Sequence, residues 1–234
     1  MSDAHRPRSR LARVFGRSVS ALTLVAAALA ELPAQASPDH DQVEIDNAFV
    51  RVLRRRDEER TPSPQPGHFE TVVIYLRDAD ARITFTPGIS PDRQPGRGAV
   101  ITFGQGQTTR FEFLDRPDTF IQIEFKDPRP NSVSIPPDLD PVHNLPEQFS
   151  TVFENQNVRV VRVSREARQT APLHRHPPYL AVLLRDSHQQ MTGADGTVRE
   201  VKRKAGAVTF NPATHHAERN LSSAPFEAVL VEFK

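Results

Sequence analysis

The chain has no cysteine and no tryptophan, and only two tyrosines and two methionines among its 234 residues. Without cysteine there is no disulfide framework and no thiolate chemistry. Long apolar runs are also missing. The stretch Ala21 to Ala30 (ALTLVAAALA) is far shorter than the roughly 20 residues a membrane-spanning helix needs. Outside that stretch no long 3.6-residue apolar period appears, which argues against a helical protein. A basic stripe with interleaved aromatics is absent too, so nucleic acid is not an expected partner.

The N-terminus carries Arg6, Arg8, Arg10, Arg13 and Arg17, then the short apolar run, then Ala34-Gln35-Ala36 and Ser37. A positive segment, an apolar segment and small residues in that order are the layout of a secretory signal peptide. With no twin-arginine pair before the run, the expectation is Sec-type export with cleavage after Ala36. The product would be periplasmic or secreted, with no membrane span. Residues 1–36 hold five of the 30 Lys and Arg and two of the 29 Asp and Glu, so removing them leaves 25 against 27, a net −2.

A shift of 108 residues aligns Val43–Lys126 with Thr151–Lys234 without a net gap. Asn47, Val50, Arg51, Val52 and Arg54 meet Asn155, Val158, Arg159, Val160 and Arg162. Pro64 and His68 meet Pro172 and His176, and Leu76-Arg77-Asp78 meets Leu184-Arg185-Asp186. Gly88 meets Gly196, Gly98-Ala99-Val100 meets Gly206-Ala207-Val208, and Glu124-Phe125-Lys126 meets Glu232-Phe233-Lys234. A repeat this long reads as a duplicated domain. The predicted organisation is a signal peptide (1–36), an N-terminal barrel (37–126), a connector (127–150) and a C-terminal barrel (151–234). Six prolines between Asp127 and Ser150 predict a stiff, irregular connector without helix or strand.

Each copy consists of short β-like segments. Val158-Arg159-Val160 alternates, as do Ile121 to Phe125 and Val229 to Phe233, while Val72–Leu76 and Leu180–Leu184 are continuous apolar runs suited to strands buried on both faces. Thr86-Pro87-Gly88, Ala194-Asp195-Gly196 and Ser222-Ser223-Ala224-Pro225 mark turns. The fold class expected is all-β, with one small barrel or double sheet per copy.

Of nine histidines, three form a pattern. His174 and His176 are two apart, so on a strand both rings share a face. His216 follows 40 residues later, past a glycine-containing turn. Imidazole is the commonest neutral ligand of first-row metals, and three rings leave coordination positions open, as catalytic sites require.

Pro172-Leu-His174-Arg-His176-Pro-Pro before an apolar strand resembles the first cupin motif. Gly206, Pro212, His216 and Asn220 in their spacing resemble the second. The resemblance covers both copies and implies two tandem jelly-roll barrels, a bicupin. It places a metal on His174, His176 and His216, with His215 as the rival for the third position. The metal would be a divalent transition ion (Fe, Mn, Ni, Zn or Cu). Where the general pattern has a Glu, this chain has Leu180 or Ala181, so a three-His site like that of thiol dioxygenases is implied, and manganese chemistry on oxalate is disfavoured.

The first copy has Pro66, His68 and Thr108 at the ligand positions, so its site reads as lost, with His68 a core histidine. Glu70 nearby offers a carboxylate without a third group. Tyr179, Met191 and Phe210 are candidates to line the pocket. Asn220 or Glu218 are candidates to hold a ring in place, while Arg185, which repeats Arg77, reads as shared architecture and Arg199–Lys204 as a solvated strand and turn. His40, His143 and His188 have no partners visible in sequence. The function implied is oxygenase-type chemistry on a small organic molecule; the alternative is a non-catalytic periplasmic cupin that binds a metal or small ligand. The partner is a small molecule, on a monomer with intrachain barrel pairing or a homodimer.

Overall fold

The computed structural model describes residues 41–57, 65–66, 70–86, 95–104, 108–113, 118–127, 129–131 and 133–234. The signal-peptide reading, His40, Pro64, His68 and the Gly88 turn lie outside them. Among the described residues no helix is long and apolar enough to cross a membrane.

In the first half the strands are β1 (Asp41–Asp46), β2 (Val50–Asp57), β3 (Gln65–Pro66), β4 (Thr71–Tyr75), β5 (Ala81–Thr86), β6 (Val100–Phe103), β7 (Thr108–Phe113) and β8 (Asp118–Phe125). A 3-10 turn (Pro137–Leu139) and a short helix α1 (Pro141–Asn144) follow. The second half has β9 (Phe149–Glu154), β10 (Val158–Arg165), β11 (Thr170–His176), β12 (Tyr179–Leu183), β13 (Ser187–Gly193), β14 (Val198–Arg203), β15 (Val208–Asn211), β16 (Thr214–Asn220) and β17 (Phe226–Phe233). The protein is all-β, as expected.

Each half carries a five-stranded sheet, β1-β2-β8-β4-β6 and β9-β10-β17-β12-β15, and a smaller one, β3-β7-β5 and β11-β16-β13-β14. Strand order in the larger sheets is the same at an offset of 108 residues, and every ladder is antiparallel. Pairing stays within each half, yet Pro38–Lys234 forms one compact unit. The reason is a shared core. Val50, Val52, Ile74 and Ile123 of the first large sheet pack in one buried cluster with Val160, Leu180, Val182 and Val231 of the second. Phe125 and Phe233, one from each half, meet edge to face with ring centroids 5.8 Å apart.

That packing explains the continuous apolar runs. On β12, Leu180 and Val182 face the shared core while Tyr179, Ala181 and Leu183 face the interior of their own barrel. Burying one such side chain stabilises by roughly 1.5–3 kcal/mol. The last strand departs from the alternating pattern read in sequence: from Ala228 to Phe233 every residue is buried, Glu232 included.

The connector departs as well. Asp140 caps α1, its side chain accepting a hydrogen bond from the Val142 amide at 3.1 Å. Pro137 and Pro141 open their turns, where a missing N–H costs nothing.

The halves also clasp each other crosswise. Arg54 donates to the Gly206 carbonyl at 2.6 Å, and Arg162 donates to the Arg97 carbonyl, beside Gly98, at 3.1 Å. Gly98 and Gly206 both have positive φ, and a Cβ on Gly98 would collide with the Arg162 guanidinium.

Candidate metal centre

β11 and β16 are paired so that His174 stands directly opposite His216. Parity puts His174 and His176 on one face of β11, pointing into the barrel, and brings His216 to the same face of β16. The three rings are 2%, 3% and 5% exposed. Their centroids lie 4.9, 4.9 and 5.6 Å apart, and one ligand atom from each falls within 4.8 Å of the other two. His215, the rival, points away from the cluster, opposite Arg175.

Two of the three tautomers follow from their neighbours. His174 Nδ1 sits 2.7 Å from the Pro172 carbonyl oxygen, which can only accept, so Nδ1 carries the proton and Nε2 keeps its lone pair. His176 Nδ1 donates to the Glu232 carboxylate at 2.6 Å. Burial, and then His176, depress the pKa of His174 to about 3. Burial depresses His216 to about 4, although the nearby Glu218 pulls the other way. Both rings are neutral at pH 7 and available as electron-pair donors.

Around the rings lies a polar frame of which sequence reading found only part. Glu232 is completely buried and is fixed on its other oxygen by Arg159 (2.7 Å), which in turn grips Asp140 of the connector (2.7 Å). Arg165, also completely buried, donates to Gln148 (3.0 Å), Gln189 (3.1 Å) and Glu218 (2.7 Å). Burial would raise the Glu218 pKa, but the Arg165 guanidinium together with the neighbouring histidines outweighs it and holds the carboxyl well below the usual range. A charged residue inside the apolar run Val229-Leu-Val-Glu-Phe was the signal for Glu232, since a buried carboxylate needs a partner. Arg165 gave no such signal.

Tyr179 lines the site, buried, with its ring 5.1 Å from that of His176. Met191 stands opposite Glu218 across the β13–β16 ladder. Phe210 does not line the site. Its cross-strand partner is Leu180, so it faces the shared core and stacks on Phe49 at 6.1 Å. Asn220 does not hold a histidine either; its amide donates to the carbonyls of Glu166 (3.0 Å) and Ala224 (2.8 Å), closing the turn after β16. Glu218 does approach a ring, at 3.7 Å from His216. His188 pairs with Glu200 at 2.8 Å, His143 is exposed, and Arg199, Glu200, Lys202, Arg203 and Lys204 are exposed on and beside β14. Arg185 binds Glu227 together with Arg97 and Arg162, away from the histidines. In the first half Glu70 is tied to Arg129, Asn155 and Asn157, a stitch to the connector and the second half. The side chains of Pro66 and Thr108 lie outside the described set.

The donor set fits a divalent transition metal. Among the described residues the Nε2 atoms of His174 and His216 are buried without a hydrogen-bond partner, a costly arrangement for polar nitrogens that converge on one point. Three imidazoles suit Zn, Cu, Fe or Ni, and a carboxylate on the far nitrogen of a ring is the usual way to fix its tautomer.

No family model matches the sequence, and no curated protein matches it. Solved structures do. A cupin 2 conserved barrel domain protein from Leptotrichia buccalis is 12% identical, with a TM-score of 0.52 over 83% of this chain and 88% of that one. The formate complex of Lactobacillus farciminis oxalate decarboxylase is 14% identical, with a TM-score of 0.54 over 80% and 77%. A structure of Bacillus subtilis oxalate decarboxylase, an enzyme with Mn(II) centres, is 13% identical, with a TM-score of 0.53 over 79% and 69%. At such identities the likeness is one of fold: the chain shares the jelly-roll barrel fold of these cupin-domain structures.

Proposed function

We propose that the chain is an exported bicupin whose C-terminal barrel (151–234) binds one divalent transition metal through His174, His176 and His216 and uses it on a small organic molecule. The N-terminal barrel (37–126) and the connector (127–150) support that barrel. One observation carries the reading: three buried, converging imidazoles, two of them with unpartnered Nε2 atoms. The neutral rings of His174 and His216 supply lone pairs, Glu232 orients His176, the Pro172 carbonyl orients His174, and Tyr179 walls the site from water. A metal so held supplies a Lewis-acid or redox centre with open positions for substrate and oxygen, which favours oxygenase-type chemistry. Each nitrogen of Arg165 already has a protein partner in Glu218, Gln148 or Gln189, which disfavours it as a free anchor for an oxalate-like dianion. The shared core supports intrachain pairing of the barrels in place of a second copy.

The test is elemental analysis of the full chain, purified without a histidine tag, beside His174→Ala, His216→Ala and His68→Ala. About one metal per chain, lost in the first two variants and kept in the third, is the expected result. Absence of metal from the parent chain after anaerobic loading with iron, manganese, nickel, copper and zinc in turn would overturn the proposal.

A further inference from the structure

Glu218 lies two residues after His216 on β16, so its side chain enters the same barrel interior. Its two oxygens have different fates. Oε2 is held by Arg165 at 2.7 Å, while Oε1 accepts no hydrogen bond from the described residues and faces His216 Nε2 at 3.7 Å. Among the described residues, the only other carboxylate paired with the cluster is Glu232, and it engages Nδ1 of His176. Donor atoms at about 2.1 Å from one metal stand roughly 3 Å apart when adjacent and about 4 Å apart when opposite. The separation between Oε1 and His216 Nε2 falls inside that span.

Across the barrel, β12 presents Tyr179, Ala181 and Leu183 to the interior, none of them a carboxylate. The rings and Arg165 are buried, and a divalent ion held by imidazoles would add positive charge to a low-dielectric interior, at a cost. A carboxylate on the open side removes that cost.

We propose that Glu218 Oε1 is the fourth protein ligand, so that the site is three histidines and one glutamate, with the glutamate supplied by the histidine strand β16 and not by β12. The proposal rests on the metal reading above. Oε1 stands outside the mutual 4.8 Å set of the three rings, so ligation draws the carboxylate inward while Arg165 retains Oε2. Arg165 thereby limits Glu218 to binding through one oxygen, which leaves two positions of an octahedral ion open.

Cobalt(II) titration of the full chain, read by its visible absorption, tests this with His174→Ala, Glu218→Gln and Glu218→Asp. Glutamine keeps an acceptor for Arg165 but loses the anionic donor. The expected result is a Kd raised by about tenfold or more in Glu218→Gln, together with a changed cobalt spectrum. Unchanged affinity and spectrum in Glu218→Gln, with binding lost in His174→Ala, would overturn the fourth ligand and leave the three-His site standing. No cobalt bound by the parent chain would overturn both. Should the variants fail to fold, the parent chain loaded with manganese(II) and labelled with 13C on glutamate side-chain carboxyls decides: pulsed EPR finds a directly bonded 13C carboxylate, or its absence refutes the assignment.

Discussion

Asn47 in the first half and Asn155 in the second make the same turn, each side-chain oxygen accepting the amides two and three residues on at 2.8–3.0 Å. Lys126 and Lys234 donate to the carbonyls of those asparagines at 2.9 and 3.0 Å. Asp78 and Asp186 cap equivalent loops through the amides of Arg97 and Ala205. Inside the barrels the correspondence ends. The described interior of the first half is Val73, Tyr75, Ala79, Ile101, Phe103 and Phe120. The second interior sets Tyr179 and Ala181 beside three histidines, Arg165 and Glu218. Even the repeated glutamates part company: Glu232 serves His176, whereas Glu124 accepts from Gln122 at 2.8 Å. The outward face of each large sheet is committed to its neighbour, and the inward face is free to specialise.

If the shared face matters as much as this contrast implies, breaking it from either side should unfold both halves together. Phe125→Ala and Phe233→Ala should each cost about 3–5 kcal/mol. The double variant should cost less than their sum by about 0.5–1.5 kcal/mol, because the rings touch. Calorimetry should show a single transition throughout; two separate transitions would mean the halves are independent.

Mild acid, above the range where carboxylates protonate, should act through the histidines of the second interior. His174 and His216 have folded pKa values of about 3 and 4, below an ordinary 6.5. Between those limits the unfolded chain binds protons that the folded chain refuses, so the contribution of these two rings falls as pH drops below 6.5 and levels off near pH 3–4, where carboxylates such as Glu218 and Asp46 take over. Each ring contributes up to about 1.4 kcal/mol per pH unit. Denaturant midpoints of metal-free protein from pH 7 to 4 should show this slope, and His174→Asn with His216→Asn should flatten it. An unchanged slope would assign acid sensitivity elsewhere.

The paired glutamates sharpen the contrast further. Glu232→Gln should weaken metal binding by about 10- to 100-fold, since it loosens the orientation of His176, while Glu124→Gln should leave binding as it was. Equal effects in competition titrations would remove the distinction between the halves. The smallest expected difference concerns the crosswise clasp. Gly98→Ala and Gly206→Ala both force a side chain into positive φ, at about 1–3 kcal/mol. The first should cost more, because its Cβ collides with Arg162 while that of Gly206 meets Arg54 only at 3.1 Å. Thermal melts compare them directly.

Much of this was legible in the sequence because it depends on local parity and spacing. His174 and His176 had to share a face once β11 was a strand, and the second motif brought His216 to them. Leu180–Leu184 read correctly as buried on both faces. What escaped depends on which strand lies opposite. Phe210 could serve either core or pocket as far as the sequence goes, and only its pairing with Leu180 turns it toward the other half. Arg165 resembles any arginine at a strand end, and only the folded barrel sets it against Glu218, 53 residues away. The prolines of the connector signalled a break, though two of them in fact start short helical turns, one of which is capped by the Asp140 that reaches Arg159.

Strand β17 is inserted between β10 and β12 in the middle of its sheet, although it is synthesised after every other strand of that half. A growing chain therefore displays all three imidazoles before it has the carboxylate that orders His176. Until β17 arrives, β10 and β12 each have an unsatisfied edge, and the ring has no fixed tautomer. Closure of this barrel is thus a long-range event that cannot proceed by local zippering, and it belongs to the slow end of folding rates. The arrangement of His174, His176 and His216 with the Glu232 contact is therefore complete only when the last strand docks.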